Sequence, residues 1–298
     1  MRSLLPILTV VTVLVALWYV AAIGMNSKWA NDQATRAGVE LSTSDLVADT
    51  WSQDRPRLPA PHQVAAELWK TTGAMVLQGK ALSKRSLIFH GWITLSATML
   101  GFIIGTSAGI LLAVGIVHSR AMDMSVMPWA IASQTIPILA IAPMIIVVLN
   151  SIGMQGLIPK AMISAYLSFF PVVVGMVKGL RSPTSDQLDL LRTYSTNINA
   201  TFWKLRLPSS MPYLFTSLKI GMAASLVGAI VGELPTGAIR GLGARMLTGS
   251  YYGQTIQIWS ALFAAAILAA VMVGAIGMIE RATLKRMGMG GWVWFSLP

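Results

Sequence analysis

The side chains able to do chemistry in this 298-residue chain are few and widely spaced. Its three histidines, His62, His90 and His118, form no His-x3-His or His-Glu pair and so lack the spacing of a metal site. With no cysteine, disulfides, thiolate nucleophiles and Cys-held metals are excluded. The chain has no Gly-x-Ser-x-Gly elbow, no His-Glu-x-x-His helix and no carboxylates paired within an apolar run. Gly79-Lys80 is followed by Ala81 in a polar stretch, so no phosphate-cradling loop forms there. What remains is the chemistry of recognition and passage. Gln134 and Thr135 stand beside Pro137 in an apolar run, Glu233, Arg240 and Arg245 stand in a glycine-rich stretch, and Asp189 and Arg192 stand among leucines.

The elements that must position these residues are membrane spans. Hydrophobic residues make up 55% of the chain and charged ones 11%, less than half the roughly one quarter of a soluble domain. A water-soluble fold is excluded, and the composition predicts an all-α, polytopic membrane protein. The net charge of +11 comes from basic residues lying between apolar runs rather than in a dense block, which points to orientation in the bilayer and not to nucleic acid. Apolar runs at residues 4–24, 93–117, 124–149, 155–177, 213–233 and 255–279 predict six transmembrane helices.

This divides the chain into an N-terminal transmembrane helix (1–24), an extracytoplasmic segment (25–86), a five-helix core (87–280) with its longest loop at 178–212, and a C-terminal tail (281–298). In the extracytoplasmic segment, Pro61 to Leu77 mixes apolar and polar residues as a short amphipathic helix does, either on the membrane surface or packed on the segment itself. Gly101, Gly105 and Gly109, spaced by four, strip one helix face for close packing against a neighbour. Pro137 and Pro143, and then Pro159 and Pro171, predict interruptions of the third and fourth spans. Gln134 and Thr135 either satisfy the kink or, with Pro137 and Pro171, line a polar translocation path. Lys160 and Lys219, near span ends, are expected to snorkel to the interface.

With the N-terminus inside, the inner segments carry Arg2, Arg120, Lys178, Arg181, Arg192, Lys204, Arg206, Arg281, Lys285 and Arg286, whereas the short outer loops carry only Arg240 and Arg245. That asymmetry predicts cytoplasmic termini. The outer stretch from Gly232 to Arg245 has the glycines and proline of a compact turn. Its Glu233, Arg240 and Arg245 are candidates either for touching a docked partner or solute or for an internal ion pair. Tyr251, Tyr252 and Trp259 suit an interfacial aromatic belt in contact with lipid, the alternative being a site that stacks a ring-shaped solute.

The inner loop reads as a docking element or as a solvated connection. After the Ser182-Pro183 turn, Leu188 and Leu191 alternate with Asp189 and Arg192 as on a short helix, and Pro208 and Pro212 punctuate the return to the membrane. These residues resemble the EAA loop of binding-protein-dependent ABC-transporter permeases. In that loop an acidic residue and two small ones precede a glycine, and a hydrophobic residue and Leu-Pro follow. Asp189 falls on the acidic position, Ser195 on the glycine, and Leu205, Leu207 and Pro208 on the remainder. Asp stands for Glu, Leu190-Leu191 for the small pair and Ser195 for the glycine.

The resemblance runs over about two thirds of the chain, from about Phe89 to Glu280, and is closest to the nitrate, sulfonate and taurine branch, on Gln134 to Pro143, Ser151-Ile152-Gly153, Leu218-Lys219-Ile220 and Glu233. It implies an inner-membrane importer subunit paired with a second permease copy, a homodimer in the simplest case. ATPase subunits on the cytoplasmic side would hydrolyse ATP, a solute-binding protein would dock outside, and this chain would bind no cofactor. Leu188, Asp189, Leu191, Arg192, Ser195, Leu207 and Pro208 would couple it to the ATPase. The implied solute is a sulfonate, a nitrate-like anion or a pyrimidine-type heterocycle. The competing reading is a self-contained secondary transporter or channel, which would need ionisable residues in mid-span.

Overall fold

The computed structural model describes residues 4–235 and 240–289; Arg2, residues 236–239 of the outer stretch and residues 290–298 of the tail lie outside it. The described residues form helices and connections only. In chain order these are α1 (Leu4–Ala37), α2 (Thr43–Ser52), α3 (Pro61–Thr71), α4 (Gly73–Leu77), α5 (Leu87–His118), α6 (Arg120–Ser133), α7 (Ile138–Ser151), α8 (Leu157–Leu180), α9 (Ser185–Thr193), α10 (Ile198–Thr201), a π-helical turn (Phe202–Arg206), α11 (Leu207–Glu233), α12 (Leu242–Tyr251) and α13 (Thr255–Arg286).

Five helical stretches are long and apolar enough to cross a membrane: α1, α5, α8, α13 and the continuous run from Ile198 to Glu233. A sixth crossing is counted only if α6 and α7, bent by 101° at their junction, are taken together. Each has 14 residues, about 21 Å at 1.5 Å per residue, and is too short for a core about 30 Å thick. The expected third span is therefore an elbow. The expected interruption of the fourth span is not present, because Pro159 lies in the first turn of α8 and Pro171 sits within an unbroken helix.

By its internal contacts the chain divides into two compact units, Met1–Trp92 with Ile239–Ala266, and Ile93–Ala238 with Ile267–Pro298. In the first unit α1 continues past the expected boundary at Gly24 to Ala37, where Gly38 turns the chain with φ +68°. Residues 25–37 contain no Gly or Pro, so nothing breaks the helix as it leaves the apolar run. The strap that follows α2 is tied back to α1 by Asn26, which is fully buried. Its Nδ2 donates to the carbonyls of Thr50 (3.1 Å) and Leu58 (2.8 Å), and its Oδ1 accepts from the amides of Arg57 (2.9 Å) and Leu58 (3.2 Å). Trp18 Nε1 donates to Pro59 O at 2.9 Å, and Thr255 Oγ1 donates to Pro56 O at 2.5 Å. A proline-rich strand of backbone that could not pair in a sheet thus has its polar groups met one by one. The expected amphipathic segment forms as α3 and α4, with Val64 buried and Trp69 and Leu77 exposed.

In the second unit the glycine face of α5 lies against α8. A Cβ on Gly101 would come within 2.5 Å of Ala161 O, one on Gly105 within 2.7 Å of Ala165 O, and one on Gly109 within 2.9 Å of Phe169 O. None of these separations is available to a real side chain. Behind them Ser164 Oγ donates to Ser225 O at 2.7 Å, and Ser225 Oγ donates to Thr98 O at 2.9 Å, so α5, α8 and α11 share buried hydroxyls. Small residues at these contacts let the helices approach closely where lipid provides no hydrophobic drive for association. The snorkelling expected of two lysines is replaced by burial and pairing. Lys160 is buried in the first turn of α8, and Lys219 Nζ reaches Glu280 Oε2 at 2.7 Å.

Candidate functional site

The segment around Asp189 folds as a short helix closed at both ends. Thr184 and Gln187 form a reciprocal capping box: Thr184 N donates to Gln187 Oε1 at 3.1 Å and Gln187 N to Thr184 Oγ1 at 3.4 Å. At the other end Ser195 N donates to Arg192 O (2.8 Å) and Thr196 N to Leu191 O (3.1 Å), the paired bonds of a Schellman termination. Ser195 takes the left-handed position of that motif with φ +54°, the only non-glycine residue with positive φ among those described. Asn197 then caps α10, its Oδ1 accepting from Ala200 N at 2.7 Å.

The side chains divide differently from the expectation. Leu188 and Leu191, expected as outward anchors, are half-buried, and Leu188 lines a cavity beside the end of α5. The apolar groups turned outward are Leu190 and Tyr194, 57% and 74% exposed, one helical turn apart. Asp189 and Arg192 form an exposed ion pair at 2.8 Å. Pro208 and Pro212 do not punctuate the return to the membrane, since Pro212 lies inside α11 and Leu207 and Pro208 begin it. That start falls inside a helix that runs from Ile198 to Glu233, with Leu207 N–H bonded to Phe202 O across the π turn. The widened turn ends beside Pro208, whose ring and missing amide are tolerated in the first turn of α11.

The four path candidates do not converge in one described cavity. Gln134 ends α6 and Pro137 opens α7, so with Thr135 they form the elbow. Thr135 Oγ1 donates to Ala132 O at 2.8 Å and Gln134 Nε2 to Ser133 Oγ at 3.4 Å. Thr135 thus meets a carbonyl at the elbow and Gln134 only a neighbouring hydroxyl, and Thr135 and Pro137 are exposed. Pro171 instead lines a cavity of about 620 Å³ with Phe170, Lys178, Tyr213 and Glu280. Lys178 Nζ stands 5.9 Å from the centre of the Tyr213 ring.

Glu233, Arg240 and Arg245 are separated in the same way. Glu233, fully buried at the end of α11, accepts from Thr94 Oγ1 at 2.9 Å. The Arg240 guanidinium lies 5.8 Å from the centre of the Phe89 ring. Arg245 is carried by α12, a helix where a turn was expected, and its buried Nε has no hydrogen-bond partner among the described residues. Burial holds its guanidinium below the ordinary arginine range, an effect opposed by Glu67. His90, buried near the start of α5, accepts from Gly241 N at 3.0 Å on Nδ1 and bonds Lys84 O at 2.9 Å through Nε2, a structural role that its isolated place in the sequence did not signal. Trp259 leaves the expected aromatic belt to pack 5.0 Å from Trp18, while Tyr251 and Tyr252 remain exposed.

The capped helix thus lies in a loop between apolar helices, in the register of the EAA loop. A family model described as binding-protein-dependent transport system inner membrane component matches residues 105–287. The chain belongs to this permease family. The chain is 28% identical over 228 residues to the riboflavin transport system permease protein RibX of Chloroflexus aurantiacus, covering 76% of this chain and 80% of the relative. It is also 28% identical over 229 residues to the formylaminopyrimidine transport permease protein ThiX of Halalkalibacterium halodurans, covering 76% and 84%. The putative aliphatic sulfonates transport permease protein SsuC of Bacillus subtilis is 23% identical over 223 residues, covering 74% and 79%. The permease is a multi-pass membrane protein of a family that serves small solutes.

Proposed function

We propose that this permease is the membrane subunit of an ATP-driven importer, with α9 as its contact to a separate ATPase chain. The observation that carries the reading is the form of α9. It is capped at both ends, exposed along one face, and presents Leu190 and Tyr194 outward with Asp189 beside them. A helix that transmits force must be rigid and must offer a partner something to grip. Leu188 and Leu191 support it from its inner side, Arg192 pairs with Asp189 on its exposed surface, and Leu207 and Pro208 begin the span that it would move. The family's description supports a binding protein as the outer partner, with a second permease copy completing the pathway. The asymmetry of basic residues supports cytoplasmic termini.

For the solute, the riboflavin and formylaminopyrimidine relatives match at 28% identity and the sulfonate relative at 23%. That ordering favours a small polar heterocycle over an oxyanion. A secondary transporter would claim the Lys219–Glu280 pair as its coupling site. Uptake into proteoliposomes carrying the assembled transporter decides between the two. ATP inside should be required and a proton or sodium gradient should not substitute. The contact itself is tested by co-purification of the ATPase with Leu190→Glu and Tyr194→Ala variants. Both should lose the ATPase while remaining in the membrane, and retention by both would refute the assignment of α9.

A further inference from the structure

The helices α8, α11 and α13 leave a groove at one end of the second unit. Lys178 stands two residues before the end of α8, Tyr213 six residues after the start of α11, and Leu284 two residues before the end of α13. All three border the cavity of about 620 Å³, with Phe170, Pro171 and Glu280 farther from that end. The chain leaves α13 at the same end. Gly288 N donates to Lys285 O (3.2 Å) and Met289 N to Leu284 O (2.9 Å), with Gly288 at φ +75°. This Schellman turn stops the helix and brings the backbone back over Leu284, a residue of the groove wall. Residues 290–298 follow, and three of these nine, Trp292, Trp294 and Phe295, are aromatic, against 8% of the whole chain.

We propose that this groove is the docking site of the chain's own C-terminal segment, with Trp292, Trp294 and Phe295 as its anchors. The segment is long enough. At about 3.3 Å per residue the five steps from Met289 to Trp294 reach about 17 Å, whereas the groove edge from Lys178 to Phe170 is eight helical residues, about 12 Å. The chemistry matches as well. Phe170, Pro171 and Tyr213 offer apolar surface to rings that gain most from burial. Lys178 Nζ, 5.9 Å from the centre of the Tyr213 ring, supplies a cation for an indole face. Glu280 spends Oε2 on Lys219 at 2.7 Å and keeps Oε1 as an acceptor for an indole N–H, which can only donate. A lipid acyl chain would fill the apolar part and leave Lys178 and Glu280 unmatched, which is why the tail is preferred. Docking would tie α8, α11 and α13 together at this end, and it is independent of the proposed role of α9.

The test uses the full-length permease in phosphatidylcholine nanodiscs, where a chain without cysteine gives no background. Thr216 is exposed on the groove wall, so the reaction of Thr216→Cys with N-ethylmaleimide reads whether the groove is covered. With Trp292→Ser and Trp294→Ser added, labelling should run about tenfold faster, because a tethered segment without its anchors no longer holds the site at high effective concentration. Both substitutions lie beyond α13 and its cap, so the helix packing stays as it is. An unchanged rate would overturn the proposal. Thr216→Cys is also paired in turn with Val293→Cys and with Ser296→Cys, which keep every aromatic ring, and then oxidised. At least one pair should give a disulfide within a single chain, read as a linked peptide from monomeric protein. Covalent dimers alone would assign the groove to a second copy, and no link from either pair would leave it to lipid; each of these results overturns the proposal. Neither readout involves the ATPase, so a failure here is separable from a failure of the α9 contact.

Discussion

Ser195→Gly should strengthen the end of α9. Ser195 has φ +54°, and in that region an L side chain crowds the following carbonyl at a cost of about 1–2 kcal/mol. Glycine removes the crowding but adds freedom to the unfolded segment, which returns about 0.4–1 kcal/mol. The net gain is about 0.5–1 kcal/mol, or a two- to fivefold drop in the population of the opened end. The bonds at stake are Ser195 N to Arg192 O and Thr196 N to Leu191 O, at 2.8 and 3.1 Å. Hydrogen exchange at the Thr196 amide reads their opening directly and avoids global unfolding, which is rarely two-state for a membrane protein. Protection should rise two- to fivefold in Ser195→Gly and fall in Ser195→Val, whose β-branched side chain is worse in the left-handed region. The reasoning fails if glycine lowers protection or valine leaves it unchanged. A stiffer α9 should also retain the ATPase at least as well as wild type does, which co-purification would show.

Gly105→Leu should abolish most of the folded yield measured by monodisperse size-exclusion elution, since even a Cβ there would meet Ala165 O at 2.7 Å. Asn26→Leu should cost about 2–4 kcal/mol by stranding the amides of Arg57 and Leu58, seen as accelerated proteolysis of the strap between α2 and α3. Lys219→Met should destabilise the protein by up to about 3–5 kcal/mol by leaving Glu280, 14% exposed, without its cation; adding Glu280→Gln should recover most of the loss in a thermal-shift assay. Single cysteines placed at Asp45 and Arg192 test the topology in whole cells. An impermeant thiol reagent should label position 45 and spare position 192, and the reverse pattern would invert the membrane orientation.

Much of the architecture was legible in the residues themselves, because the bilayer imposes a length and a polarity that local sequence must satisfy. The apolar runs located the five long spans and the α6–α7 elbow without showing its bend, and the four-residue spacing of Gly101, Gly105 and Gly109 named the face that meets α8 without naming α8. Ser195 fell on the glycine position of the EAA-like register, and the structure gives it the left-handed backbone that glycine favours. Local signals misled where the helix could be continued from either side. Residues 25–37 and Pro208 looked like boundaries, yet 25–37 hold no Gly or Pro to break the helix, Pro208 follows a π turn within a continuous helix, and Pro171 is carried inside α8. Tertiary structure alone decided which leucines of α9 face outward, because an amphipathic turn has two candidate faces until the end of α5 and the start of α11 claim Leu188. It also decided that Lys219 pairs with Glu280, 61 residues away, and that His118, Arg192 and Arg206 border one cavity. Meetings across such distances depend on how the helices pack, and no spacing along the chain encodes them.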